Sequence, residues 1–361
     1  MKSYKPEKVY IDHSIREKPL TKNVLRNLPD VPREFVEDPR SIIDQVTSMS
    51  DPIGEGKKRL LITQYKGRML KPCPGTPNAI CCDYHILNPV VGCPLDCTYC
   101  ALQIYFNNPL MTIYANTDDL FGELDRRLRR EFKWLFRIGT GELTDSLALD
   151  DITGMSKMLV PYFAGKGGVL FELKTKSNRI NNLLDVNHGG RTVVAWSLNP
   201  QTIIDKEEPG SASLTERLEA ARKCQEAGYK IGFHFDPLIH YGDWEEDYRS
   251  VVDDIFECIR PQEIVWMSLG TFRFPASLKP IIKDRFPRSK IIYEEFVPGQ
   301  DGKMRYLKPL RIEMYSKMLS WIRAHDPRIF VYLCMESTDV WQKVFGWTPK
   351  TTADLARMFP S

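Results

Sequence analysis

Three cysteines fall within eight positions of the stretch GCPLDCTYCAL, at 93, 97 and 100, directly after the apolar run HILNPVV. Two thiols in a loop suffice for a disulfide and four close a zinc site. Three leave a set open. A cubane iron–sulfur (4Fe-4S) cluster has four irons, so a C-x3-C-x2-C loop binds three and exposes the last to a small-molecule chelator. Zinc is the competing reading, held by the same three plus His85 or a distant cysteine. Structural zinc sites favour paired C-x2-C units, however, and the chain has no second pair with that spacing. The spacing therefore favours Cys93, Cys97 and Cys100 as ligands of a cluster.

Such a loop needs a rigid frame. From about residue 84, strand-like runs alternate with helix-like ones, the pattern of an α/β fold with a mostly parallel sheet. The strand candidates are YHILNPVV, WLFRI, GVLFELKT, TVVAWSL, KIGFHFD, EIVWMSL and IFVYLCM. Helices between them include TDDLFGELDRRLRREF, DDITGMSKMLVPYF, LTERLEAARKCQEAG and DWEEDYRSVVDDIFECI, with Ser213 and Glu216 forming a capping box and Gly228 placed for a C-terminal cap. About seven strand–helix units suggest a barrel or an open partial barrel, in which active groups gather at the carboxyl ends of the strands. There the cysteine loop would meet GTGELTDS, KTKSN, SLNP and HFDPLIH. The run KIIYEEFVPGQDGKMRYLKP reads as a hairpin turning at Gly299 to Gly302. The expected division is an N-terminal extension over 1–83, a barrel over 84–290, and a C-terminal hairpin, helix, strand and tail over 291–361. The first 80 or so residues, rich in Lys, Arg and Pro, show little periodicity and are expected to wrap the barrel or project from it.

Composition bounds the chemistry. The 361 residues are 42% apolar and 27% charged, as in a soluble enzyme, and Lys plus Arg exceed Asp plus Glu by only 50 to 47. No apolar run approaches the ~18 residues that span a bilayer. MKSYKPEKVYIDHS lacks a signal-peptide core, so a cytoplasmic protein without membrane partners is expected. Of the other cysteines, Cys224 and Cys258 lie in helical runs and read as core thiols. Cys73, Cys81 and Cys82, in KPCPGTPNAICCDY, have no recognised ligand spacing.

With Tyr99 immediately before its third cysteine, the loop resembles the signature of the radical S-adenosylmethionine (SAM) superfamily. That resemblance implies a partial (β/α)6 barrel and a cluster whose open iron is chelated by SAM. It further implies cleavage of SAM to a 5′-deoxyadenosyl radical that abstracts substrate hydrogen. GTGE at 139–142 resembles the family stretch that engages the methionyl ammonium, with Gly139 and Gly141 allowing close backbone approach and Glu142 matching the positive charge. Lys176 is placed for the methionyl carboxylate and Ser197 for the ribose or carboxylate.

Between about residues 80 and 260 the runs KTKSNRINNLLDVNHGGRTVVAWSLNP and EAGYKIGFHFDPLIHYGDWEEDYR, with LGTFRF beyond, resemble the spore photoproduct lyase family, which reverses a thymine dimer lesion in DNA. The resemblance places Arg273 near the DNA, and His234 and Asp236 become substrate candidates. Two positions depart from the family. Its hydrogen-donor cysteine follows the second strand, where this chain has Glu142, and its tyrosine after the third cysteine is Ala101 here. Cys334, at the end of VYLCMES, is the first substitute donor, with Cys81 and Cys82 behind it. The helix bearing Arg126, Arg127, Arg129, Arg130 and Lys133 is basic, but interleaved acids make a solvated face the better reading. The candidate wedge for opening DNA is the 290–310 hairpin. The expected function is radical hydrogen abstraction from a nucleic-acid or nucleotide-like substrate, fed by a donor such as flavodoxin or ferredoxin. A peptide or metabolite substrate, or a non-catalytic metal-stabilised nucleic-acid-binding protein, is the alternative.

Overall fold

A computed structural model describes residues 1–76, 79–105, 107–130 and 135–360. Its strands in chain order are β1 (Lys8–Asp12), β2 (Arg33–Val36), β3 (Arg59–Thr63), β4 (Leu70–Pro72), β5 (Tyr84–Leu87), β6 (Val90–Val91), β7 (Met111–Tyr114) and β8 (Phe136–Gly139). They continue with β9 (Val169–Thr175), β10 (Thr192–Ser197), β11 (Lys230–Leu238), β12 (Ile264–Thr271), β13 (Arg273–Pro275), β14 (Phe296–Pro298), β15 (Lys303–Tyr306) and β16 (Val331–Leu333).

The main sheet has the order β16-β12-β11-β10-β9-β8-β5-β4, parallel throughout except for β4 at one edge. It is a curled, open half-barrel. Each of the seven expected strands contributes to it, because β-branched and aromatic residues buried on both faces suit a covered parallel sheet. β10, TVVAWS, is buried at every position. Trp134 of the WLFRI run and Lys133 of the basic helix lie outside the described residues. The 150–163 run divides into helices Asp150–Thr153 and Met155–Ala164, since Gly154 takes φ +59°. The capping box at Ser213 and Glu216 forms, and Gly228 has φ +89°.

Residues 1–80 carry regular elements and pack on the half-barrel. β1, β2, β3 and β7 form a second parallel sheet, with β6 antiparallel at its edge, in the order β2-β1-β3-β7-β6. Three of the prolines that made this region look irregular, Pro19, Pro39 and Pro52, are first-turn residues of short helices. Asp38–Pro39 and Asp51–Pro52 are N-cap and N1 pairs, with the Asp carboxylates accepting from Arg40 N–H and Gly54 N–H. YHILNPVV breaks at Asn88–Pro89, giving β5 to the half-barrel and β6 to the second sheet. The expected boundary at 83 is therefore crossed by pairing, β3 with β7.

The late hairpin forms from β14 and β15, joined by β13. Cys224 is a core thiol as expected, whereas Cys258 is exposed at the end of its helix, on the face that turns from the core. No helix among the described residues is long and apolar enough to cross a membrane.

Candidate active site

The loops at the carboxyl edge of the half-barrel enclose a cavity of about 750 Å³. Cys93, Cys97 and Cys100 share its wall with Gly141, Glu142, Lys176, Ser197, Asp236 and Arg273. One cavity thus collects residues that are more than 170 positions apart in sequence.

The cysteine loop is fixed from three sides. Lys57 donates to the carbonyls of Cys93, at 2.9 Å, and Leu95, and lies 3.3 Å from the Asp96 carboxylate. Arg285 reaches the same carboxylate at 3.1 Å. Residues 207–209 form the third side. Asp96 N–H donates to Pro209 O and Thr98 N–H to Glu207 O, both at 2.9 Å, while the hydroxyls of Thr98 and Tyr99 donate to the Glu207 and Glu208 carboxylates. Glu208 is buried and paired with buried Arg217. Burial alone would raise its pKa, but the charges of Arg217 and Lys176 and the Tyr99 and Asn199 donors hold it down at about 2. The Tyr99 ring is thereby anchored beside the third cysteine, with Lys176 Nζ 5.8 Å from its centroid.

The donor set fits a cluster. Burial pushes the Cys97 thiol well up and Cys93 up to about 12, so metal must displace protons here. Among the described residues, no group of three His, Cys, Asp or Glu side chains is drawn together tightly enough for one metal ion. Three thiols on one cavity wall match three corners of a cubane cluster. His85, the added ligand in a zinc reading, is buried in ring contact with Phe136.

The cavity wall after β8 and β9 depends on close strand approach. Gly139 lies opposite Glu172 of β9, so the chain leaving β8 passes Lys174. A Cβ on Gly141 would fall 2.6 Å from Lys174 Cβ, and one on Gly139 would fall 1.8 Å from the Tyr84 hydroxyl oxygen. Gly139 is thus a packing residue behind the cavity; Gly141 is on it. Glu142 faces Lys174, Oε1 to Nζ 3.8 Å. Burial pulls the Lys174 ammonium down, but the carboxylates of Glu142 and Asp236 outweigh it and hold the pKa up. Asp145 accepts from Leu147 N–H, Ala148 N–H, Thr175 Oγ1 and Lys176 N–H at 2.6–2.9 Å, stitching the β8 and β9 loops together. Sequence reasoning missed Lys174, Asp145 and Glu208. Their post-strand positions in KTKSN, GTGELTDS and after SLNP were the available signal.

Four candidates are placed differently from expectation. His234 is buried behind the wall, held by Glu172 Oε1 and Ser268 Oγ at 2.6 Å each, because its position in β11 points into the sheet's core. Arg273 and Asp236 do line the cavity, but bonded to each other at 3.1 and 3.2 Å. Cys334 sits behind that pair, its sulfur 3.5 Å from Arg273 Nη2, and Met335 is the residue that reaches the cavity. The thiol on the wall besides those of the cysteine loop is Cys73. It continues the β4–β5 ladder, donating its N–H to Tyr84 O at 2.8 Å. Burial and the charge of Glu142 push its pKa up to about 12. Cys81 packs under Gly75, and Cys82 lies beside Arg137, behind the wall.

A half-barrel with this thiol-lined mouth defines the radical SAM class. The chain belongs to the spore photoproduct lyase family of that class, whose family model, described as "Spore photoproduct lyase", matches residues 4–309. It is 30% identical over 210 residues to the spore photoproduct lyase of a Geobacillus species, covering 56% of this chain and 61% of that protein. The Bacillus subtilis spore photoproduct lyase is 28% identical over 208 residues, covering 56% and 60%. The chain thus spans about three-fifths of these relatives' length. Among solved structures, a spore photoproduct lyase variant with bound AdoMet and dinucleoside spore photoproduct superposes with TM-score 0.82 at 22% identity, covering 92% of this chain and 100% of that one. A second variant, without ligand in its description, gives TM-score 0.82 at 23% identity over the same shares.

Proposed function

We propose that the protein repairs spore photoproduct or a closely related thymine lesion by radical SAM chemistry, with Cys73 as the hydrogen-atom donor. Bound to Cys93, Cys97 and Cys100, the cluster would supply the electron that cleaves SAM to the hydrogen-abstracting radical. Lys176, which has no carboxylate partner within 4 Å among the described residues, suits the methionyl carboxylate, and Glu142 the ammonium. Ser197 completes that wall.

The observation that carries the reading is the thiol of Cys73 in the same cavity as the cluster thiols. A thiolate has no hydrogen to give. With its pKa pushed to about 12, Cys73 stays a thiol through neutral pH. Its S–H bond breaks homolytically, the hydrogen atom forms a C–H bond on the product radical, and a thiyl radical remains. One electron and one proton, from the flavodoxin- or ferredoxin-type donor and solvent, restore the thiol. The tyrosine that follows the third cysteine elsewhere in the family is Ala101 here, but Tyr105, one helical turn on, also lines the cavity. Cys334 and Cys81 stand behind the wall and are assigned no hydrogen transfer.

The test is product analysis. Reduced wild type with SAM and lesion-bearing DNA should give 5′-deoxyadenosine and restored thymines. Cys73→Ala should still cleave SAM but divert the product radical to adducts. Clean repair by Cys73→Ala would remove Cys73 from the mechanism, and DNA repair by neither protein would turn the reading toward a peptide or metabolite substrate.

A further inference from the structure

We infer that Cys73 and Cys81 are a redox modification site, a thiol pair that closes into a reversible internal disulfide and takes the hydrogen donor out of service. That consequence rests on the lesion-repair reading above; the bond itself follows from the β4–β5 connection.

Residues 74–80 join the two thiols. At one end Cys73 N–H donates to Tyr84 O at 2.8 Å, one step past the Pro72–His85 pair of the β4–β5 ladder. The other end is held by C-terminal elements. Ile80 N–H donates to Glu336 O at 3.2 Å, and Cys81 N–H to Thr352 Oγ1 at 3.4 Å. Between these anchors, Gly75 touches both sulfurs. Its N–H donates to the Cys73 sulfur, and a Cβ built on it would fall 2.6 Å from Cys81 Sγ. Gly75 has φ +61°, a conformation that residues with side chains rarely adopt. A side chain there would also push Cys81 away. The residue separating the two thiols is thus the one type that lets them approach.

The neighbouring thiols are engaged elsewhere. Cys82 lies beside the Arg137 guanidinium behind the wall, and Cys334 accepts from Arg273 Nη2 at 3.5 Å. Cys73 and Cys81 are both half-buried, and Cys73, Pro74 and Gly75 line the cavity, which leaves a small reagent an approach.

A low-molecular-weight disulfide such as oxidised glutathione supplies the oxidising equivalents. The Cys81 thiolate attacks it, forming a mixed disulfide and expelling one glutathione thiolate. The Cys73 thiolate then attacks the Cys81 sulfur and expels the second. Two protein thiols are oxidised, one glutathione disulfide is reduced to two thiols, and the protein's two protons end on them. A thiol whose pKa is pushed to about 12 is a poor leaving group, so the closed bond resists reopening by attack at Cys81. While it is closed Cys73 has no S–H to give, and a dithiol restores it.

Peptide mapping tests the bond. The full-length, cluster-loaded protein is held anaerobically in oxidised glutathione, then acid-quenched, alkylated and cut with chymotrypsin. Cleavage after Tyr84 parts Cys73, Cys81 and Cys82 from the cysteines at 93, 97 and 100. Wild type and Cys82→Ser should both yield a 73–81 cross-link, two hydrogens lighter than the open peptide and lost after dithiothreitol. Cys81→Ser should yield at least about tenfold less cross-link, with Cys73 free or carrying glutathione. No internal cross-link in wild type would overturn the inference, as would closure in Cys81→Ser that Cys82→Ser abolishes. The mapping needs no turnover, so its failure leaves the donor role of Cys73 standing. Closed protein that still repairs the lesion cleanly would instead overturn that role and the switch together.

Discussion

A half-buried thiol beside a carboxylate resists ionisation, and Cys73 has both desolvation and Glu142 against it. The sign is fixed: removing the like charge in Glu142→Gln should lower the Cys73 pKa, so its iodoacetamide labelling, followed by mass spectrometry between pH 8 and 11, should speed up. Labelling no faster than in wild type would mean that Glu142 does not bear on the thiol. On the SAM side, Lys176→Ala should weaken SAM binding about tenfold by leaving a carboxylate without its charge-assisted partner, and calorimetry without reductant would measure this without any turnover. The cysteine loop was legible because its spacing is local. Cys73 was not, because only the antiparallel pairing of β4 with β5 brings it to the wall. Cys334 misled for a related reason: it ends a strand as expected, yet Asp236 and Arg273 stand in front of it.

Elements reach the site through residues 207–209, whose backbone and two carboxylates grip residues 96–99. Replacing Glu208 by Gln leaves the Arg217 guanidinium buried without its counter-charge, at a cost of roughly 3–5 kcal/mol. Tyr99→Phe removes one hydroxyl donor and should cost about 1–3 kcal/mol. Urea unfolding of the two variants should preserve that order; equal, small losses would show the clasp to be incidental. The barrel strands were legible as apolar, β-branched runs, and the 207–209 clasp was not, since its partners are about 110 residues apart. The N-terminal sheet was hidden by its own helix starts. Prolines at 39 and 52 look like breakers in a sequence, yet each occupies a first helical turn where no N–H is needed.

At the scale of the whole molecule, two sheets meet at the cysteine loop. Lys57, at the end of helix Pro52–Lys57 in the N-terminal sheet's layer, clamps the loop that the half-barrel presents, and Arg285 clamps it from a late helix. The N-terminal region is therefore part of the cysteine loop's frame, and if that loop holds the cluster proposed above, Lys57→Ala should retain less iron after anaerobic desalting than wild type while the fold, read by circular dichroism, is unchanged. The central claim is that radical repair in this cavity ends with a hydrogen atom from Cys73. A thiol hydrogen exchanges with solvent, whereas carbon-bound hydrogens of SAM do not. The direct measurement is turnover of the lesion in D2O, with mass spectrometry of the repaired thymines from wild type and Cys73→Ala. Wild type should place one solvent deuterium in each repaired product, and Cys73→Ala should lose that label together with clean repair. Repaired thymines without solvent deuterium, or with the same label in both proteins, would contradict it.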